Sequence, residues 1–344
     1  MLCINAACAS KVQNTVSPTV SPYLAFYPLP NSGVIDSPTS DIGTFAFNTP
    51  QISHENYYIT RVDHKISDKD SLNGTYFYDR GDLESPDPFN VRITGNLARR
   101  TLATVGESHV FSPNLLNSTK FGYSRVVSIA PTTLSAVNQA AGNTSLGFVS
   151  GLPVGLINVG GVSNFQGGLK ATGEFDFHLN SYQFYEDVYL TRGKHSIKFG
   201  FAFERLQNNQ LGTSNPNDQF IFSNLASFLS ATPTSFNGSI QQGVSPRDLR
   251  QSVFGGYVTD NYRMTQKLTL NLGLRYEPVT VPTETAGRLA ALPTVSAAAP
   301  HLGNPYFKNA SYLNFAPRLG FVYDPFGKGS TSIRGGIAST IPRP

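Results

Sequence analysis

The amino-acid sequence predicts an all-β protein, and within that class an antiparallel transmembrane β-barrel. Three observations lead to this prediction. Apolar and polar residues alternate along extended runs, the runs come in pairs joined by short polar turns, and the pairs are separated by segments of roughly 20 to 45 residues. Short turns at one end of a sheet and long loops at the other are typical of membrane barrels, whereas soluble β-sandwiches keep most of their loops short.

The composition supports strands and argues against several other classes of protein. Charged residues make up 14% of the 344-residue chain, against about 25% in soluble domains, and 24 Phe and 16 Tyr bring the aromatic share to 12%. The net charge of +4 is spread along the chain without a cluster of Lys or Arg, so we expect no nucleic-acid partner. No run approaches the roughly 20 apolar residues of a membrane helix, so the chain would cross a membrane as a barrel.

The stretch Phe254–Glu277 shows the alternation most clearly. It contains one extended run over Phe254–Arg263, a short polar turn and a second run that ends at Glu277. Successive side chains of a strand point to opposite faces, and no helix of period 3.6 would sort residues in this way. We therefore expect Arg275 and Glu277 to face the barrel lumen and Tyr276 to lie in an aromatic girdle. The residues expected to face lipid are Leu268, Leu270, Leu272 and Leu274.

Four further hairpins follow the same plan, with two extended runs on either side of a polar turn. Their arms are Tyr57–Ile66 with Ser71–Asp79, Thr101–Phe111 with Asn117–Ser128, Phe175–Leu190 with Ser196–Leu206, and Asn314–Tyr323 with Ser330–Ser339. In several arms the apolar residues share one parity, which predicts a common apolar face. The clearest sets are Leu72, Gly74, Tyr76 and Tyr78; Phe121, Tyr123 and Val127; and Ile197, Phe199, Phe201 and Phe203.

The segments between the hairpins lack a clear period and contain many turn residues, so we predict loops there. Within them we expect a short strand at Phe45–Phe47 and one helical turn at Leu225–Ser230. The whole chain, residues 1–344, is expected to form one barrel domain, mostly loop over residues 1–50 and hairpins over residues 51–340. The predicted loops are residues 1–50, Arg80–Arg99, Ile129–Gly173, Gln207–Pro246 and Pro278–Ser311.

No pattern in the sequence is typical of an enzyme active site. The 6 His are scattered, and neither a zinc-protease motif nor a nucleophile elbow occurs. We predict no catalytic, cofactor-binding or metal-binding residues. Two local features keep alternatives open: Asp82, Glu84 and Asp87 either bind a calcium ion through clustered oxygens or are solvated loop acids. Cys3 and Cys8 either form a local disulfide in an oxidising compartment or are two incidental thiols.

Aromatic and amide side chains in the long loops are of the types that recognise a ligand at a receptor surface. The same residues would also keep exposed loops soluble, so both interpretations stay open and no ligand-binding residue is assigned. The residues concerned are Phe148, Asn158, Asn164, Phe165, Asn208 and Asn209.

Four separated stretches combine an extended run, a turn and a return run: RVDHKISDKDSL (Arg61–Leu72), HVFSPNLLNSTKFGYSR (His109–Arg125), GGYVTDNYRMTQKLTLNLGLRYE (Gly255–Glu277) and FAPRLGFVYDPFGKGSTSIRGG (Phe315–Gly336). They resemble the repeating hairpins of TonB-dependent outer-membrane receptors. Within that family they are similar to the Oar-like group with a carboxypeptidase-regulatory-like domain, common in Acidobacteria. The earlier stretch SPYLAFYPLPNSG (Ser21–Gly33) resembles a loop of the same group.

The resemblance implies a partial barrel of about 10–12 strands out of an expected 22, set in the lipid of the bacterial outer membrane. It implies energy-coupled uptake of a large, scarce extracellular nutrient of the siderophore or oligosaccharide class, without enzymatic chemistry or a cofactor. Coupling would run from the TonB–ExbB–ExbD complex through a plug and TonB box, which this sequence lacks, as it lacks a signal peptide and a terminal aromatic strand. We therefore expect an internal segment of a barrel. The alternative function is that of a structural or adhesive Oar-like surface protein.

Overall fold

The computed structural model describes residues 2–3, 11–32, 42–239, 246–307 and 312–339. Its main feature is an antiparallel sheet of eleven strands, ten of which follow one another across the sheet in chain order. The eleventh, Thr283–Glu284, pairs only with the seventh of these. The ten strands are β1 (Ile52–Lys65), β2 (Asp70–Pro86), β3 (Arg92–Ser112), β4 (Leu115–Ala136), β5 (Phe175–Arg192), β6 (His195–Gly212), β7 (Arg247–Arg263), β8 (Leu268–Tyr276), β9 (Phe315–Tyr323) and β10 (Ile333–Ala338).

All five predicted hairpins are present, and the sheet is an open barrel wall with β1 and β10 at its edges. Residues that lie directly opposite each other on neighbouring strands share a face, so the register shows how the faces continue across the sheet. Leu270 lies opposite Tyr262 on β7 and Phe321 on β9. The alternation of β8 is therefore matched by its neighbours, and one apolar face extends over several strands.

A row of four phenylalanines marks the centre of this apolar face. Phe121, Phe184, Phe203 and Phe254 lie opposite one another on β4, β5, β6 and β7. The ring centroids of Phe121 and Phe184 are 5.0 Å apart, and those of Phe203 and Phe254 are 5.2 Å apart. This confirms the predicted common face, on which the four leucines of β8 also lie.

The opposite face, which we call the polar face, carries charged side chains and small residues. Lys198 Nζ lies 3.5 Å from Asp187 Oδ2 and 4.8 Å from the centre of the Tyr189 ring. Arg275 is on this face, as predicted, and forms an ion pair with Glu277 just beyond the end of β8. Charges are thus paired on the face that would line a lumen, as the cost of exposing them to lipid requires.

The two ends of the sheet differ. At one end, called the turn end, adjacent strands are joined by the short segments 66–69, 113–114, 193–194, 264–267 and 324–332. At the other, the loop end, the connections are residues 87–91, 137–174, 213–246 and 277–314. The predicted difference between the ends is confirmed, with one exception at residues 87–91.

The prediction of a loop over Arg80–Arg99 was wrong. The ladder between β2 and β3 continues in register as far as the pair Pro86 and Ile93, so the connection has only residues 87–91. The strands β4, β6 and β7 likewise extend several residues further toward the loop end than predicted. Beyond the apolar band both faces of a strand contact water, so the alternation disappears from the sequence although the backbone hydrogen bonds continue.

The buried apolar residues lie almost entirely in the loops. With the exception of Val127, every buried apolar side chain of the described ranges is outside the ten long strands. A wall one layer thick has no second layer to cover it, whereas the loops fold on one another. The cluster at the loop end consists of Val20, Phe26, Val91, Ala141, Val154, Ile157, Val159, Phe165, Phe222 and Phe228.

Short elements organise these loops. The predicted helical turn is confirmed as an α-helix over Leu225–Leu229, and 3-10 helices cover Ser21–Phe26, Gln139–Gly142 and Thr144–Leu146. The predicted strand at Phe45–Phe47 was wrong: Thr44 makes an isolated bridge with Ser32, and the two phenylalanine rings stack 5.5 Å apart. The remaining short strands are Leu2–Cys3 with Lys11–Val12, Ala290–Ala291 with His301–Leu302, and Leu156–Val159 with Gln219–Phe222 and Ser235–Asn237.

Among the residues that the structure describes, no helix has the length and apolar character to cross a membrane. The proposed Cys3–Cys8 disulfide lies outside the described residues, since Cys8 belongs to the range 4–10.

Candidate ligand-binding site in the loop layer

A small second sheet joins two of the long loops above the barrel wall. Leu156–Val159 runs parallel to Gln219–Phe222, and the latter pairs with Ser235–Asn237 in antiparallel orientation. Gly160 follows the first of these strands, where a Cβ atom would collide with the carbonyl oxygen of Ser223. Glycine at this position therefore allows the two loops to approach, and the approach brings their aromatic residues together.

A short capped helix positions one of these aromatic residues. Asn224 Oδ1 accepts a hydrogen bond from Ser227 N at 2.8 Å, and Ser227 Oγ accepts one from Asn224 N at 3.1 Å. This reciprocal capping box fixes the start of the helix Leu225–Leu229. Phe228 is consequently held in the buried cluster, with its ring 5.2 Å from that of Phe222.

The N-terminal segment completes the loop layer. Ser17 N donates to the carbonyl oxygen of Leu229 at 2.8 Å, which attaches the segment to the end of the helix. The 3-10 helix that follows buries Phe26, and its ring stacks on that of Phe165 with centroids 4.7 Å apart. Three stretches that are distant in the sequence thus form one packed unit at the loop end.

This unit surrounds a cavity of about 440 Å³ with a mainly aromatic wall. Phe148 meets Phe220 edge to face at 4.8 Å, Phe220 lies 4.8 Å from Phe236, and Tyr23 lies 5.8 Å from Phe148. Phe236 is half exposed and lies toward solvent. The lining residues are Thr19, Val20, Tyr23, Gly147, Phe148, Ile157, Phe220, Phe222, Phe228, Ala231, Pro233 and Phe236.

The cavity offers hardly any polar groups to a ligand. None of the lining residues is an Asp, Glu, Lys, Arg or His. The Tyr23 hydroxyl donates to the carbonyl oxygen of Leu146 at 3.2 Å, and burial raises the pKa of Tyr23, so this hydroxyl stays neutral. Thr19 supplies the other hydroxyl. Such a wall binds flat apolar groups by burial and ring contacts.

The structure separates the six loop residues singled out from the sequence. Phe148 lines the cavity, while Phe165 is fully buried and has a packing role. Asn158 lies in the parallel strand pair opposite Ile221, and Asn164 is exposed. The other two, Asn208 and Asn209, lie in β6 at the loop end of the wall.

Most of the cavity residues were missed in the sequence analysis. The signal available was the recurrence of aromatic residues at Phe220, Phe222, Phe228 and Phe236 within a single predicted loop. A loop that is only solvated has no reason to carry so many aromatic rings. Tyr23, from the N-terminal segment, had no comparable signal because its contacts are made across the chain.

The three acidic residues considered for calcium are not brought together. Asp82 Oδ2 lies 3.0 Å from His54 Nδ1, so its charge has a partner of its own. Asp87 is buried, and its Oδ1 accepts hydrogen bonds from Val91 N at 2.6 Å and Arg92 N at 3.1 Å, which closes the turn between β2 and β3. Glu84 sits in the β2 ladder opposite Ile52. The arrangement favours the interpretation as structural and solvated acids.

Ten antiparallel strands with a continuous apolar face, short turns at one end and folded loops at the other define the wall of an outer-membrane β-barrel. Residues 5–343 match the model of the outer membrane beta barrel domain, and the chain belongs to that family. It is therefore a protein of the bacterial outer membrane, in which the turn end is periplasmic and the loop end extracellular. No curated protein matches the sequence.

Three solved structures are similar to this chain at low sequence identity. The outer membrane transporter YddB from Escherichia coli is 12% identical with a TM-score of 0.50, over 86% of this chain and 33% of that one. P. aeruginosa FpvA bound to heterologous pyoverdines is 10% identical, with a TM-score of 0.47 and coverage of 83% and 35%. The siderophore receptor PiuA from Acinetobacter baumannii is 12% identical, with a TM-score of 0.43, over 80% of this chain and 40% of that one. The chain thus spans 33–40% of the length of these three proteins.

Proposed function

We propose that this chain is part of the barrel wall and extracellular loop layer of a TonB-dependent transporter that takes up a large, scarce nutrient. The observation that carries the proposal is the aromatic cavity of about 440 Å³ at the extracellular end of a membrane barrel. A cavity of this kind on the outer side of the membrane is suited to capture a ligand before its passage. The fold shared with the transporter YddB supports the same function.

The lining of the cavity favours one of the two ligand classes considered. An oligosaccharide has many hydroxyl groups, and burying them against phenylalanine rings without partners would be costly. Rings such as those of an aryl-bearing siderophore would bury apolar area against Phe148, Phe220 and Phe236 and gain ring contacts as well. We infer that the ligand presents at least one aromatic group to this cavity.

The wider assignment rests on the sequence motifs. The four stretches that resemble Oar-like receptors form four of the five periplasmic hairpins of the sheet. We propose that the ten long strands, in a single domain over residues 1–344, form part of a 22-stranded barrel. Its plug would connect to the TonB–ExbB–ExbD complex, and transport would proceed by gating without enzymatic chemistry.

The absence of tryptophan from the chain allows a direct binding test. Phe236→Trp places a single indole at the mouth of the cavity, where the native ring is 50% exposed. We expect a ferric siderophore with catechol rings to quench this fluorescence in the detergent-solubilised protein, while maltohexaose leaves it unchanged. The matched control is Phe326→Trp in a periplasmic turn, whose native ring is 63% exposed and which should not respond.

A second substitution, Phe148→Ala, should weaken quenching in the Phe236→Trp background because it removes one wall of the cavity. Equal quenching of both reporters would mean that the siderophore binds nonspecifically. If no ligand of either class perturbs Phe236→Trp, the cavity is not a receptor site, and the structural or adhesive surface role becomes the better account.

A further inference from the structure

The apolar face carries an unusual group of three polar side chains close to its periplasmic rim. Asp70 is the first residue of β2 and lies directly opposite His109 near the end of β3. Glu107 is two residues from His109 and therefore on the same face. One ligand atom from each of the three residues lies within 4.8 Å of the other two. All three side chains are half-buried.

Two of these side chains are already oriented by their neighbours. The Ser67 hydroxyl donates to Asp70 Oδ2, and His109 Nδ1 forms a hydrogen bond with Asp70 Oδ1. The ring of Phe111 meets the His109 ring edge-on with centroids 4.3 Å apart. An ion that replaces the proton between His109 Nδ1 and Asp70 Oδ1 would have both atoms as ligands, since metal binding displaces protons from its ligands.

Glu107 differs from the other two because it has no partner. It forms no hydrogen bond or ion pair with any residue of the described ranges, and no lysine or arginine of those ranges forms a salt bridge with Asp70 or Glu107. Glu186 lies on the same face, two strands away. In contrast to Glu107, its carboxylate accepts hydrogen bonds from Asn117 Nδ2 and Thr119 Oγ1. Two carboxylates beside a single imidazole at a lipid-facing rim leave negative charge uncompensated.

We propose that Asp70, Glu107 and His109 form a binding site for a divalent transition metal, with Zn²⁺ as the best match. One imidazole and two carboxylates are suited to zinc, whereas calcium prefers six to eight oxygen ligands. Ligands about 2.0–2.2 Å from a tetrahedral ion lie about 3.5 Å from one another, which small side-chain rotations reach from the observed separations. Water at the membrane interface supplies the remaining ligand. The bound ion neutralises Glu107 and crosslinks β2 to β3 at the rim.

The test is isothermal titration calorimetry, in which Zn²⁺ is added to the detergent-solubilised chain. The chain is stripped of metal with EDTA and prepared without a histidine tag. We expect one saturable site per chain that an excess of Ca²⁺ does not displace. Glu107→Gln and His109→Gln should each weaken binding about tenfold or more. Circular dichroism of each variant shows whether the strands are retained, and Zn²⁺ should raise the melting temperature of the native chain but not of these variants.

Two matched controls make the result specific. Glu186→Gln removes a carboxylate from the same face and should leave Zn²⁺ binding unchanged. His195→Gln removes the histidine of another rim pair, in which Nδ1 lies 2.6 Å from Asp260 Oδ2, and should also have no effect. Absence of saturable binding by the native chain would overturn the proposal. So would equal losses in the control variants, or displacement of Zn²⁺ by Ca²⁺.

Discussion

Phe165 offers the sharpest test of the packing in the loop layer. Its side chain is fully buried, and its ring lies 4.7 Å from Phe26, 6.1 Å from Tyr27 and 6.3 Å from Phe89. Truncating a buried phenylalanine to alanine costs about 3–5 kcal/mol, and little compensating collapse is expected among large rings. We expect Phe165→Ala to destabilise the loop layer by about this amount, which lowers amide protection by roughly two to four orders of magnitude.

Hydrogen exchange read by mass spectrometry measures this loss. The backbone N–H of each of Ile157 and Phe165 donates to the carbonyl oxygen of the other at 3.0 Å. Peptides that cover these two residues therefore report directly on the loop layer. A peptide over β8 should keep its protection, because that strand is held by its own ladders with β7 and β9. The control Phe236→Ala, at a half-exposed position, should cost only about 1 kcal/mol. The reasoning would be refuted by equal effects of the two substitutions, or by a simultaneous loss of protection in β8.

Two further predictions concern the membrane wall and the response to acid. Leu274→Arg puts a charge on the apolar face of β8, opposite Val258 and Pro317, and should destabilise the folded chain in detergent micelles by about 2–4 kcal/mol. Asn271→Arg on the polar face should cost far less. Urea unfolding that ranks the two variants the other way would show the faces to be reversed. Burial alone would raise the pKa of Glu284, but hydrogen bonds from Arg288 and backbone N–H groups lower it to about 2, from an ordinary 4.5. The stability that Glu284 gives to the loop 277–314 should therefore be complete above about pH 5 and lost as the pH falls toward 2, and Glu284→Gln should remove this pH dependence of hydrogen exchange in the loop.

The hairpins could be predicted from the sequence because lipid imposes a period of two on the strands that it contacts. The leucines of β8 and the row through Phe203 are apolar on one parity only, and the polar turns mark where the strands reverse. Arg80–Arg99 shows where this signal ends. Its backbone forms the same ladder as the rest of β2 and β3. Its few apolar residues, such as Leu83, Ile93 and Leu97, stand among Gly, Pro and charged residues, so no clear alternation distinguishes the stretch from a loop.

The cavity was harder to predict than the wall because it depends on contacts between distant segments. Phe148 and Phe220 touch only because Gly160 lets two loops run side by side, and Tyr23 joins them through the docking of the N-terminal segment. No local pattern encodes these approaches. The role of Phe165 could not be separated from that of Phe148 for the same reason: both are phenylalanines in one irregular stretch, and only the fold decides which of them is enclosed.

The two edges of the sheet have a consequence for how the barrel enters the membrane. Every one of the 14 residues of β1 is exposed, and about half of them direct both N–H and C=O away from β2. In hydrocarbon each unpaired group costs several kcal/mol, so this edge alone opposes insertion by tens of kcal/mol, more than a folded domain has in total stability. An open sheet of these strands is therefore not stable in lipid before neighbouring strands pair with its edges. Partitioning into the bilayer and satisfaction of the last edge must occur together, as a single cooperative step.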